Sequence, residues 1–222
     1  MSAETGWLAL RLEGPLQAWG VDSQYNRRGT GLMPTKSAIA GICCAALGLG
    51  RGSVEERAFL EEFAGLRMTA LAGTGASSRG KTTIRRLDDY HTVQNTLKAD
   101  GGTKDCHITH RQYLTDAAFA VLLHGAPELV RRIAAALANP QWGIWLGRKS
   151  CVPTAPVLVG TFSTQDDALR ALIGDRSLDT FTRQEEVEEF ADGKDSLPDQ
   201  AVSFLSSRRE FAPRRVKTIQ GK

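Results

Sequence analysis

From Trp7 to Leu12 (WLALRL) apolar positions alternate with polar-capable ones, the two-residue period of a strand with one buried face. The alternation stops at Gly14, and a polar, basic loop runs to Pro34-Thr35-Lys36-Ser37. An apolar helix follows as far as Gly48. Ala38, Ile39, Ala40, Ile42, Cys43, Cys44, Ala45, Ala46 and Leu47 leave it almost no polar face, so it is predicted to be buried on more than one side. Ser53–Gly65 reads as a second helix: Ser53 and Glu56 form a capping box, and Phe59, Leu60 and Phe63 share one face. Leu66–Leu71 reads as a strand, Tyr113–Leu123 as another, and Pro127–Ala138 as an amphipathic helix with proline in its first turn. A short strand at Val157–Phe162 and a short helix at Asp166–Ile173 complete the periodic segments.

Between these segments lies a stretch of different texture, Lys81–Gln112. With Arg79 it carries seven Lys/Arg, four Asp and three of the four histidines, and it has few aliphatic residues. Asp100-Gly101-Gly102 at its centre is a turn signal between two polar arms. It reads as an exposed β-hairpin or mobile arm, because it cannot carry a core. The order strand, helix, helix, strand, arm, strand, helix suits an α+β sandwich of the ferredoxin-like or RRM kind, with the arm inserted between central strands. Toward the end, 176–199 holds eight acids against three bases and reads as solvated, while the tail 206–222 holds six bases against one acid.

Composition narrows the class. The 222 residues are 41% hydrophobic, enough for a core and against wholesale disorder. A net charge of +3 is too mild to show nucleic-acid binding by itself, so the distribution of charge matters more. Four cysteines without a CxxC pair give no disulfide framework. No signal-like start and no membrane-length apolar run are present, which leads us to expect a cytoplasmic protein with reduced thiols.

The loop and the helix that follows it present the first candidate site. A helix start carries unpaired backbone N–H groups and partial positive charge. Here Thr35, Ser37 and Lys36 stand at that start, with Arg27 and Arg28 upstream and Trp19, Gln17, Gln24 and Asn26 in the same loop. This suits the backbone of a nucleic acid; a long surface loop leading into a well-capped core helix is the alternative. Gly41 would admit a strand or a ligand backbone close to the helix. Gly147-Arg148-Lys149-Ser150 puts two cations and a hydroxyl on a turn that could face phosphate. Four basic patches (the loop, the arm, Arg148-Lys149 and the tail) could converge along a phosphate chain. Neither Walker nor dinucleotide spacing is present. Cys106, His107 and His110 lack a second ligand pair for zinc, and Asp88-Asp89 lacks a third acid for magnesium, so no metal or cofactor is expected. His91, His107, His110 and Tyr113 keep open a metal-independent ribonuclease, in which His or Tyr handles the 2′-hydroxyl proton.

Several blocks occur together and in order: LRLEGPLQAWG (10–20), MPTKSAIAGICCAALG (33–48), LDDYHTVQ (87–94), HRQYLTDAAFAV (110–121), LGRKSC (146–151) and SSRREFAPRRV (206–216). In these the chain resembles the Cas-five family of subunits of type I-E CRISPR effector complexes (Cascade), within the RAMP superfamily. The resemblance implies a ferredoxin-like N-terminal domain over 1–146, with a β-hairpin thumb inserted at about 80–112, and a small β-rich C-terminal domain over 147–222. It further implies a non-catalytic subunit that holds the 5′ handle of the CRISPR RNA. Such a subunit caps the backbone subunits beside the large subunit and meets target DNA only through the complex. In the related type I-C form the equivalent subunit cuts the RNA, which keeps the nuclease alternative open. Carried onto this sequence, Lys36, Ser37 and the helix start would hold one phosphate. Arg27, Arg28, Arg148, Lys149, Ser150, Arg208 and Arg209 would line the path. Gln17, Trp19, His91, Gln94, Arg111 and Tyr113 would meet bases or ribose.

Overall fold

The computed structural model describes residues 6–21, 23–24, 26–74, 84–98, 100–205 and 207–222. Arg79, Lys81 and Ser206 lie outside them, as does the side chain of Gln24. The chain is a mixed α+β structure built on two sheets. In chain order the elements are β1 (Gly6–Glu13), β2 (Leu16–Gln17), β3 (Ser23–Gln24), β4 (Arg27–Arg28), α1 (Lys36–Leu47), α2 (Val54–Ala64), β5 (Arg67–Ala72), β6 (Arg85–Leu97), β7 (Thr103–Thr115), β8 (Ala118–Gly125), α3 (Pro127–Ala138), β9 (Leu158–Phe162), α4 (Gln165–Ile173), β10 (Arg183–Glu186), β11 (Asp195–Ser203) and β12 (Glu210–Ile219).

The larger sheet has seven strands in the order β11-β12-β10-β5-β8-β1-β9, and every pairing in it is antiparallel. Its two faces explain the composition of its strands. Leu8, Leu10 and Leu12 of β1 and Phe119, Val121 and Leu123 of β8 pack with Ile39, Phe63 and Ile133 of α1, α2 and α3. Ala9, Ala120 and Leu122 point the other way, onto Ala168, Leu172 and Ile173 of α4. Being covered on both sides, β8 reads as a nearly continuous apolar run. Arg11 reaches around α4 and donates to the Ala171 carbonyl at 3.3 Å.

Helix α1 owes its ends to local chemistry. The Thr35 hydroxyl accepts from the Ala38 N–H, and Gly48 takes the left-handed conformation (φ 70°) that closes the helix. The apolar circumference sits between the sheet, α3, α2 and β11. Burial raises the Cys43 and Cys44 thiols, that of Cys44 to about 12.

The smaller sheet runs β2-β7-β4-β3, with β6 on the other side of β7. Strands β6 and β7 form a long hairpin whose turn is closed by Lys98 N–H to the Gly102 carbonyl (2.7 Å) and Gly102 N–H to the Asp100 carboxylate (2.9 Å). The strand read through Tyr113–Leu123 is divided between β7 and β8 by a break at Asp116, whose φ is 50°.

The stretch 176–199 differs from its solvated reading. With the residues that follow, it forms three strands, and β10 pairs with β5, so all three extend the larger sheet. The physical reason is that the charges neutralise one another inside the fold. Arg214 chelates Asp199 at 2.6 and 3.0 Å, and Lys36 meets Glu186 at 2.8 Å. Among the described residues no helix is long and apolar enough to cross a membrane.

Candidate nucleic-acid interface

The start of α1 is occupied by the protein itself. Lys36 is fully buried. Its Nζ donates to Glu186 Oε1 (2.8 Å) and to the Ala64 carbonyl (3.2 Å), and its backbone N–H donates to Asp199 Oδ2 (2.9 Å). Burial holds the lysine below its usual pKa, with Glu186 opposing the shift. The Ser37 hydroxyl donates to Thr35 Oγ1 at 3.3 Å, and Gly41 faces the Phe204 ring from β11's end of the fold. This corrects the expected phosphate cradle: Lys36 joins the N-terminal helix to the C-terminal strands, Gly41 backs onto Phe204, and the Ser37 hydroxyl turns back to Thr35.

Gln17 and Trp19 are corrected in the same way. The Gln17 amide is buried and donates to the Leu12 and Ala117 carbonyls at 3.1 and 2.5 Å. Trp19 is fully buried and meets Phe119 edge-on, with centroids 6.3 Å apart. The Trp19 N–H donates to Thr30 Oγ1 (2.8 Å) and the Gly31 N–H to the Trp19 carbonyl (2.6 Å). Both residues therefore anchor the loop and contact no solvent.

With its base pinned, the loop carries β3–β4 to the foot of the hairpin. Strand β4 runs parallel to β7, bringing Arg27 beside His110 and Arg28 beside Arg111; the His110 N–H donates to the Asn26 carbonyl at 2.8 Å. Arg148 locks this junction. Its guanidinium donates to the Gln112 carbonyl (2.8 Å) and the Arg28 carbonyl (2.6 Å) and lies 4.6 Å from the centre of the buried Tyr113 ring. Gly147 allows it: φ is 100°, and a Cβ there would fall 1.8 Å from the Ala18 carbonyl oxygen. Arg148 and Tyr113 are thus corrected to supports of the site, while Lys149 and Ser150 stay exposed on the turn.

Residues facing each other across the hairpin sum to 200 in number, so faces alternate strictly. Asp89, His91, Arg111, Tyr113 and His107 take one face. Arg86, Asp88, Tyr90, His110, Gln112 and Gln94 take the other. The histidines named for a ribonuclease are therefore split: His91 and His107 lie opposite to His110, and Tyr113 is covered by Arg148.

On the second face the hairpin and the loop enclose a cleft of about 660 Å³, lined by Arg27, Arg28, Gly29, Thr30, Gly31 and Val21 from the loop and by Arg86, Asp88, Tyr90, His110 and Gln112 from the hairpin. Tyr90 is 60% exposed, and its ring stands edge-on to His110 at 5.3 Å. Arg86 donates to the Thr30 carbonyl at 3.4 Å. Three guanidinium groups with an exposed aromatic ring suit a single-stranded phosphate chain with unstacked bases. Of the four basic patches, the loop and the arm meet here. Arg208 lines a separate groove between α2 and β11, with Arg209 exposed beside it.

Residues 86, 90 and 112 were missed as candidates. The signal was present: a turn closed between 98 and 102 fixes the register, and period-two counting puts Tyr90 opposite His110. Among the described residues no group of three His, Cys, Asp or Glu is placed to hold a metal ion.

Three comparisons with known proteins point to one family. A family profile described as CRISPR-associated protein (Cas_Cas5) matches residues 7–217. The CRISPR system Cascade subunit CasD of Escherichia coli (strain K12) is 32% identical over 165 residues, 72% of this chain and 73% of that protein. A chain of a CRISPR RNA-guided surveillance complex superposes with a TM-score of 0.75 at 27% identity, covering 96% of this chain and 89% of its own. A crystal structure of a Cas protein gives 0.67 at 29% identity, covering 97% and 98%. With the profile spanning both the hairpin and the C-terminal strands, the chain belongs to the Cas5 family of CRISPR-associated proteins.

Proposed function

We infer that this protein is a CRISPR-RNA-binding subunit of a type I-E surveillance complex. Its relatives are a Cascade subunit and a chain of an RNA-guided surveillance complex. The cleft between loop and hairpin is the observation that carries the reading. It holds the 5′ handle of the RNA, with Arg27, Arg28 and Arg86 on phosphates and Tyr90 and His110 on bases. Gln94 on the cleft's face of the hairpin and Lys149 and Ser150 on the neighbouring turn extend the path, while His91 and Arg111 on the opposite face and Arg209 beside the separate groove would meet RNA only outside the cleft. Arg208 serves less, being paired with Glu210 at 2.5 Å. The hairpin acts as a thumb against the backbone subunits, the large subunit docks beside it, and target DNA is met only through the assembly in the cytoplasm.

The reading includes a ferredoxin-like unit. Strands β5-β8-β1-β9, with helices joining β1 to β5 and β8 to β9, support it. Residues 1–146 then form the RNA-binding unit, and 147–222 a smaller unit that shares its sheet. The subunit is a binder; another subunit cuts the precursor.

The test uses purified protein and labelled repeat RNA without metal. We expect intact RNA on a denaturing gel and saturable binding by fluorescence anisotropy. Log affinity should fall against log salt with a slope near 2, from three arginine–phosphate contacts at roughly 0.7 each. The Arg27→Ala, Arg28→Ala double variant should bind about tenfold or more weakly, with a flatter salt dependence. A single cut upstream of the spacer would replace the binder with a nuclease, and a flat salt dependence would remove the phosphate contacts.

A further inference from the structure

The cleft holds groups that suit different parts of a nucleotide. Arg27, Arg28 and Arg86 suit phosphate, yet Asp88 lines the same space on the face of Tyr90 and His110. Among the described residues its carboxylate has no ion-pair partner within 4.0 Å. An ionised carboxylate only accepts hydrogen bonds, and at contact distance it repels a phosphate oxygen. A cleft made solely to grip the backbone would therefore be weakened by it. A base edge is the part of RNA that supplies N–H donors, so carboxylates have a use there.

We propose that this cleft reads one unstacked base through Asp88 and selects guanine, with uracil the poorest fit. The inference rests on the RNA-binding reading above. Guanine alone offers two donors side by side on its Watson–Crick edge, N1–H and the N2 amino group, and a single carboxylate accepts both. Its O6 and N7 are acceptors and match a guanidinium. Uracil offers one N–H flanked by two carbonyl oxygens, which a carboxylate repels. Cytosine and adenine offer one amino group beside an acceptor and fall between. Asp88 lies on the same hairpin face as Tyr90, whose exposed ring supplies the stacking surface for such a base.

The test compares fluorescein-labelled U8 RNA with U8 carrying one central guanosine, by anisotropy at low salt. The native protein should bind the guanosine oligomer roughly tenfold more tightly, within the range of a bidentate base contact. Inosine, which lacks the N2 amino group, should lose much of that gain. The Asp88→Ala variant should lose the guanosine preference while binding U8 more tightly than the native protein, because negative charge has left a basic cleft. Opposite changes for the two oligomers cannot come from misfolding. Equal affinities of the native protein for both oligomers would overturn the proposal. So would an Asp88→Ala variant that gains equally on both, since the carboxylate would then only dilute positive charge. If neither oligomer binds, the RNA reading itself falls, and this one with it.

Discussion

Taking an ammonium group out of water is costly, and Lys36 is held there by a set of partners rather than by one. Glu186 accepts from it and from the Met68 N–H (3.0 Å), while Asp199 accepts from the Lys36 backbone and from Arg214. Removing one member leaves the others buried and incompletely paired. Lys36→Met is therefore expected to lower stability by about 3 kcal/mol, the cost of breaking a buried pair from one side. Urea unfolding measures it. The protein that stays folded should keep its RNA affinity within about twofold, since Lys36 has no surface to offer. A large loss of affinity at unchanged stability would return Lys36 to the binding site.

At the scale of elements, what matters is which side of a helix or strand reaches solvent. Helix α1 reaches it hardly at all, so its two thiols are shielded and raised by burial; Cys151 is raised for the same reason, and Cys106 lies exposed on β7. Of four thiols we expect one, Cys106, to react quickly with Ellman's reagent at pH 8 in the native protein, and all four in urea. A second fast thiol would mean that α1 or the 146–151 turn opens readily. The linked pH effect has a definite sign. Folded pKa values above the unfolded 9.0 give stability that is present below pH 9 and lost as pH rises toward about 12, the value for Cys44. In the hairpin the same geometry has a functional result, since period-two alternation gives Tyr90 and His110 to the cleft and His91 and Arg111 to the opposite face.

For the molecule as a whole, the larger sheet makes one structural unit of the two ends of the chain. Strands β10, β12 and β11 cover the outer edge of β5 and bring Glu186, Arg214 and Asp199 to α1. A chain ended after Thr182 would expose the β5 edge and leave Lys36 buried without its anions. We expect that truncation to show no cooperative urea transition by circular dichroism. A sharp transition near that of the full chain would mean that the N-terminal part folds without its C-terminal strands.

Local periodicity and capping were legible in the chain because they are set by neighbours in sequence. The strand at 7–12, the capping of α2 by Ser53, the apolar circumference of α1 and the Asp-Gly-Gly turn needed no knowledge of distant residues. The charged C-terminal strands were not legible. Glu186 and Asp199 meet Lys36 from more than a hundred residues away, and a carboxylate or guanidinium looks solvated until its counter-ion is placed. The same holds for the site: Arg27 and Arg28 were visible as cations, but Lys36 and Arg148 are cations too and are held by partners within the fold, as Gln17 and Trp19 are. Sequence by itself determined which segments can form strands and helices and what chemistry they carry. Only the tertiary structure decided which of those groups face water, because a buried polar side chain is made tolerable by partners that only the fold brings to it.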